Sequence, residues 1–237
     1  MHPPRALVRL LLPLLALLAM APARGAPLCS SDGQPMPRRL VERFLSADCA
    51  TCWTTRPAPL PAGAVPIDWI VPSAQGDDAP LAAAAYRDGA ERLAALQHPP
   101  PARSTEVRHA LARRAPVRLR VAHGVPLGGY VGASIHVQPQ APLAAGPWTL
   151  WLLLAEAVPA GTAGTPVART LARNLLVTRW DQPAAGQGFA ESRPLGIPEG
   201  SDPQRLQVIG WVQDGQGRVL AAARSRCPPE RAGKQAP

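Results

Sequence analysis

Fifty of the 237 residues are proline or glycine, 30 and 20 respectively, and they recur along the whole chain. Proline inside a helix removes a backbone donor and clashes with the preceding turn, so no bundle of long helices fits between them. The chain must be built from short elements joined by many turns. No repeat of fixed period is visible, which argues against a solenoid. Apolar residues make up 46% of the sequence, enough for a packed core and too many for a disordered chain. The length suits one elaborated domain or two small ones.

The segment 1–26 reads as a secretory signal peptide: a basic start (MHPPRALVR), an apolar run interrupted by Pro13, and small residues that allow cleavage after Ala23 or Ala26. The run is too short to span a bilayer, and Leu28 before Cys29 does not suit a lipid-anchoring signal. The expected location is periplasmic or secreted, with no stable membrane insertion after cleavage. Removing Arg5, Arg9 and Arg24 with the leader brings the formal charge of +9 down to about +6. The remaining arginines are dispersed and aromatic residues are 4%, so nothing forms the basic stripe with stacking rings that nucleic acid requires.

Four cysteines, Cys29, Cys49, Cys52 and Cys227, follow the leader. In an oxidising compartment an even number is read as disulfides. Cys49 and Cys52 are close enough for a local pair, which leaves Cys29 and Cys227, near the two mature ends, as a structural staple.

Along the chain, strands are expected over 40–46 and 65–71, with Pro57, Pro59 and Pro61 forbidding a long helix between them. A helix is expected over 81–97 and a shorter one over 106–114. Strands follow at 117–121, 129–137, 148–158, 171–180, 205–212 and 218–223, with Asp214–Gly217 as a hairpin turn. The strand at 148–158, longer and more continuously apolar than the others, should be central in its sheet. The expected organisation is a leader at 1–26, an α/β part with the cysteine pair at 27–115, a β-rich domain at 116–227 and a disordered tail at 228–237.

Cys49-Ala-Thr-Cys52 directly follows a strand. At the start of a helix, free backbone N–H groups favour a thiolate, and a second thiol one turn on can resolve a mixed disulfide. Cys49 is the expected attacking thiol and Cys52 the resolving one, shielded by Trp53. Arg43 is a candidate for favouring the thiolate, Asp48 opposes it, and Asp68 is a candidate proton-relay carboxylate. Trp53 stands where covalent haem attachment needs histidine. His98, His109, His123 and His136 are scattered and read as surface or turn residues, not as a zinc set. No serine sits in a hydrolase elbow. No metal or other cofactor is expected.

Three stretches together resemble the exported bacterial thioredoxin-like proteins grouped as domain of unknown function 1223. VERFLSADCATC at 41–52 is similar to that family's first strand and cysteine pair, RTLARNLLVTRW at 169–180 to a later segment, and IGWVQDGQGRVLAAA at 209–223 to its terminal hairpin. Ile67-Asp68-Trp69 loosely matches its second strand. The resemblance implies an α+β chain: a reduced thioredoxin-like α/β part followed by a mostly antiparallel, β-sandwich-like part. The family's helix after the cysteines is replaced here by Pro57–Pro61. Its threonine-proline step has no counterpart in 97–105, and Gly164-Thr-Pro166 stands where the family has glycine-glutamate-asparagine. The expected function is thiol–disulfide exchange, as an oxidoreductase acting on other exported proteins through mixed disulfides. The alternative is a non-catalytic binding or structural module whose cysteines only form staples.

Overall fold

The computed structural model describes residues 29–140, 147–181 and 186–228. The expected leader, and the tail from 229 onward, lie outside the described residues. Eleven strands and two α-helices are described. In chain order they are β1 (Cys29–Ser30), β2 (Arg39–Ser46), α1 (Ala50–Thr54), β3 (Ala64–Val71), α2 (Arg87–Ala95), β4 (Ser104–Ala110) and β5 (Val117–His123). Then come β6 (Tyr130–Pro139), β7 (Trp148–Val158), β8 (Arg169–Trp180), β9 (Phe189–Gly196), β10 (Leu206–Gln213) and β11 (Val219–Arg224). None of the helices among the described residues is long and apolar enough to cross a membrane.

The strands form a four-stranded sheet, β1-β5-β6-β9, and a seven-stranded sheet, β11-β10-β7-β8-β3-β2-β4. Strand β7 shows why they stack. From Leu150 to Ala155 it is apolar without interruption, so both faces seek cover. Trp148, Leu150, Leu152 and Leu154 join Val121, Val131, Ile135 and Val137 of the smaller sheet in one core. Trp151, Leu153 and Ala155 point the other way, into a second core with Phe44, Ile67, Trp69 and Leu93 of α2. The expected central strand is found with its bounds intact.

The expected fold class is overturned. Strands take 48% of the described residues and helix, 3-10 turns included, 12%, with two sheets and two α-helices among them, which is not a thioredoxin-like α/β part followed by a sandwich. Three local causes are visible. The proline run holds α1 to five residues. The segment expected as a helix at 106–114 is instead strand as far as Ala110, in β4, which pairs antiparallel with β2 from Arg39↔Ala110 to Leu45↔Ser104, and is irregular beyond it. The free edge of β2 gives the backbone donors and acceptors of β4 their partners. Lastly, β3 pairs in parallel with β8 at Asp68↔Leu171, so strands from both sides of residue 115 share one sheet. The helix expected over 81–97 is confined to Arg87–Ala95, preceded by a 3-10 turn at Ala82–Ala84. Strand β9, not expected at all, is the outer strand of the small sheet, where Pro194 is tolerated because an edge needs fewer donors.

Candidate functional site

Strand β2 runs between β3 and β4 and is buried over nearly its whole length. At its carboxyl end the chain turns sharply. The Ala47 N–H donates to Val71 O at 2.9 Å and the Cys49 N–H to Ser46 O at 3.0 Å. These bonds tie the turn to the end of β3 and aim Cys49 at the N-cap position of α1. Cys49 and Cys52 are joined in a disulfide. The Cys52 N–H donates to Cys49 Sγ at 3.2 Å, so the capping group of this helix is a sulfur. The helix ends at Thr55, whose backbone is extended, and Arg56 before Pro57 is biased away from helix in any case.

Around the sulfurs the polar groups are few. Thr51 Oγ1 lies 3.5 Å from Cys49 Sγ and accepts a hydrogen bond from Arg103 Nη2 at 3.2 Å. A guanidinium therefore stands one hydroxyl away from Cys49, and positive charge there favours the thiolate. The Asp48 carboxylate, which opposes it, is engaged by the Ser73 hydroxyl at 2.5 Å.

Beneath α1 lies a buried charge cluster. Asp68 on β3 is 0% exposed. Arg43 Nη1 and Arg169 Nη1 each lie 3.3 Å from its Oδ1, and the Thr170 N–H donates to its Oδ2 at 2.9 Å. Burial pushes the Asp68 carboxyl above its ordinary value, against the pull of Arg43, the Thr170 N–H and Arg169. Arg43 also faces Glu106 of β4 at 3.6 Å, so its charge is taken up by carboxylates and it is not placed as the thiolate-favouring group. Arg169 Nη2 donates to the carbonyls of Cys52, Trp53 and Thr55 at 3.0, 2.7 and 2.8 Å. One arginine thus satisfies the carbonyls that the end of α1 leaves unpaired and joins them to Asp68.

A loop closes over the far side. The Trp53 indole N–H donates to Ala163 O at 2.7 Å, and Thr165 Oγ1 lies 3.0 Å from Trp53 O. Ala163 holds φ at +47°, a left-handed conformation that costs a non-glycine residue about 1 kcal/mol. The Gly164-Thr-Pro166 step therefore sits where the chain packs on α1.

Of the residues singled out from sequence, the structure brings together Cys49, Cys52 and Trp53, with Asp68 reaching them through Arg169. The order of burial is the reverse of the expectation: Cys49 is 7% exposed, whereas Cys52 is only partly buried. Trp53 packs in one apolar cluster with Leu45, Ala47 and Ile70, against which Cys52 rests. Cys29 and Cys227 are bridged as expected. Two histidines read as surface residues are otherwise placed: His109 contacts buried Glu42 at 2.9 Å, and His123 is buried. Sequence reasoning missed Thr51, Arg103 and Arg169. The only signal for Arg169 was that it opens the second family-like stretch.

Two disulfides suit an oxidising, extracellular type of environment. No protein-family model matches the chain, and no curated protein matches it significantly.

Proposed function

We propose that this is an exported thiol–disulfide exchange protein working through Cys49 and Cys52. One observation carries the reading: Cys49 Sγ accepts the Cys52 N–H and stands beside a hydroxyl backed by Arg103, while Cys52 is the more exposed of the two. A partner thiolate attacks Cys52 Sγ. The S–S bond breaks, and its electron pair leaves on Cys49 Sγ, where the waiting donors hold the charge. A second partner thiol then attacks the mixed disulfide and expels Cys52, so the partner ends as a disulfide and the chain as a dithiol. This reading exchanges the roles expected from sequence, with Cys52 forming the mixed disulfide and Cys49 departing. A signal peptide directing it to the periplasm, and kinship with the domain-of-unknown-function 1223 proteins, are parts of the same proposal and rest on sequence alone.

The test is chemical. After mild reduction, alkylation at neutral pH labels Cys52 several-fold faster than Cys49. Cys49→Ser accumulates mixed disulfides, and Cys52→Ser abolishes exchange with a small-molecule disulfide. The pair should show a reduction potential above roughly −250 mV; a value below about −300 mV marks a staple and overturns the proposal.

A second reading, a binding module, is favoured by a different observation. A cleft of about 1020 Å³ opens beside the small sheet, lined by Arg118, Arg120, His136, Phe189, Arg224 and Arg226. Its volume is at the upper end for ligand sites. Burial, and then the neighbouring Arg226 charge, push the Arg224 guanidinium below its ordinary value, an arrangement that an anionic ligand relieves. Under this reading, an organic anion protects the protein against heat, and Arg224→Ala removes that protection.

A further inference from the structure

Strand β1 lies antiparallel to β5, with Cys29 opposite His123. The segment after β11 returns beside it: Arg226 and Ser30 exchange backbone hydrogen bonds of 2.8 and 3.0 Å, and Cys227 follows. One ring nitrogen of His123 and the two disulfide sulfurs lie within 4.8 Å of one another. His123 is 4% exposed. Its Nδ1 lies 2.9 Å from Gly124 O. A carbonyl oxygen only accepts, so Nδ1 carries the proton and Nε2 presents a lone pair. That Nε2 is buried and has no hydrogen-bond partner, an uncommon condition in a native fold. A histidine bound to a metal has this form: one nitrogen on the ion, the other donating to a backbone carbonyl that fixes tautomer and ring plane.

We propose that reduction turns Cys29, Cys227 and His123 into a zinc site. While the disulfide stands, the sulfurs are bonded to each other and the cluster is closed to metal. A dithiol supplies the two electrons needed. Its thiolate attacks Sγ of Cys227, the solvent-exposed member of the pair, and the electron pair of the broken S–S bond leaves on Cys29 Sγ. The second thiol of the reductant then releases Cys227, and the reductant ends as a disulfide. When Zn²⁺ binds, the two protein thiols give up their protons to solvent. Two thiolates balance the charge of the ion, and thiolate with imidazole is a donor set that zinc prefers. Three protein ligands leave the fourth tetrahedral position to water. Metal loading at this site then reports the redox state of the surroundings, through residues that the proposed exchange reaction does not use.

The experiment uses the full chain carrying Cys49→Ser and Cys52→Ser, so that no other thiol competes, with Co²⁺ as a coloured stand-in for zinc. The reduced protein should bind one equivalent of Co²⁺ with thiolate-to-cobalt charge-transfer absorption, and Zn²⁺ should displace it. The oxidised protein should give no such absorption. Adding His123→Ala should weaken binding at least tenfold, while His98→Ala, altering an exposed histidine just after α2, should leave it unchanged. Should His123→Ala fail to fold by circular dichroism, a chain bearing Cys29→Ser in its place must lose the absorption, and zinc must raise the melting temperature of the reduced parent. No one-to-one absorption, or binding indifferent to His123, overturns the proposal. So does binding by a chain that reduction has unfolded, since the folded site is then not the ligand.

Discussion

Arg169 links the base of the candidate site to the sheet beneath it. Its guanidinium spreads donors over Asp68 and three carbonyls at the end of α1, and its charge lies 5.3 Å from the centre of the Trp53 ring. Removing one partner of a buried pair leaves the rest desolvated and unmatched, at about 3–5 kcal/mol. Arg169→Ala should therefore lower stability by that order in urea denaturation. It should also raise the alkylation rate of reduced Cys49 toward that of Cys52, because the helix that covers Cys49 loses its anchor. Arg169→Lys keeps the charge but lacks the planar fork, and should recover only a minor part of either effect. A loss below about 1 kcal/mol for Arg169→Ala would show that α1 is held by its apolar contacts alone. Little of this was legible in sequence. The cysteines announce themselves through spacing and a preceding strand, whereas Arg169 lies 117 positions from Cys52 and meets it only because β8 pairs with β3.

Helix α2 depends on a comparable side chain. Nine residues are too few for a helix to persist alone in water, so docking must hold it. Leu93 enters the apolar layer. Arg92, 1% exposed, sits 4.3 Å from the Trp151 ring centre and 5.2 Å from that of Trp211, which stack on each other. Its Nε and Nη2 donate to the two oxygens of Glu42 at 2.8 and 2.7 Å. Burial alone would raise the Glu42 carboxyl, but the Arg92 charge and the hydrogen bonds from Arg92 and His109 outweigh it and hold Glu42 below its ordinary value. The unfolded chain then takes up the proton at higher pH than the folded one. The stabilisation is complete above the ordinary carboxylate range of about 4 and is lost as pH falls toward the folded value. Glu42→Gln should cost about 3 kcal/mol at neutral pH, and the gap from wild type should narrow on acidification; a gap constant with pH would refute the assignment. Among the strands, β7 was legible because burial on both faces leaves an unbroken apolar run from Leu150 to Ala155. Strand β4 was not, since Ser104–Ala110 alternates only weakly and becomes a strand by completing the edge of β2. Nor was β9, whose Pro194 masks a strand that survives at a sheet edge.

The two sheets share a core, and the first and last described segments, at Cys29–Ser30 and Arg226–Cys227, meet at its margin. Ser30 pairs with Arg226 through two backbone bonds, and the Cys29–Cys227 disulfide closes a loop of 198 positions. A crosslink of that span restricts the unfolded chain far more than the folded one. The chain-entropy treatment gives about 5 kcal/mol of stabilisation, an upper figure because unfolded chains keep some compactness. In the folded chain the two bridged segments, by contrast, are already held by β1 against β5 and by the Ser30–Arg226 bridge, so the bond adds little to the native geometry. Replacing both Cys29 and Cys227 by serine should therefore lower stability by several kcal/mol without changing the native circular dichroism spectrum. The dependence of unfolding free energy on urea should steepen, since the uncrosslinked chain exposes more surface when it opens. Cys49→Ser with Cys52→Ser closes no comparable loop, and should cost much less with no change of slope. If the two double variants instead proved equally destabilised at equal slope, the terminal disulfide would be acting through folded-state contacts and not through the unfolded chain.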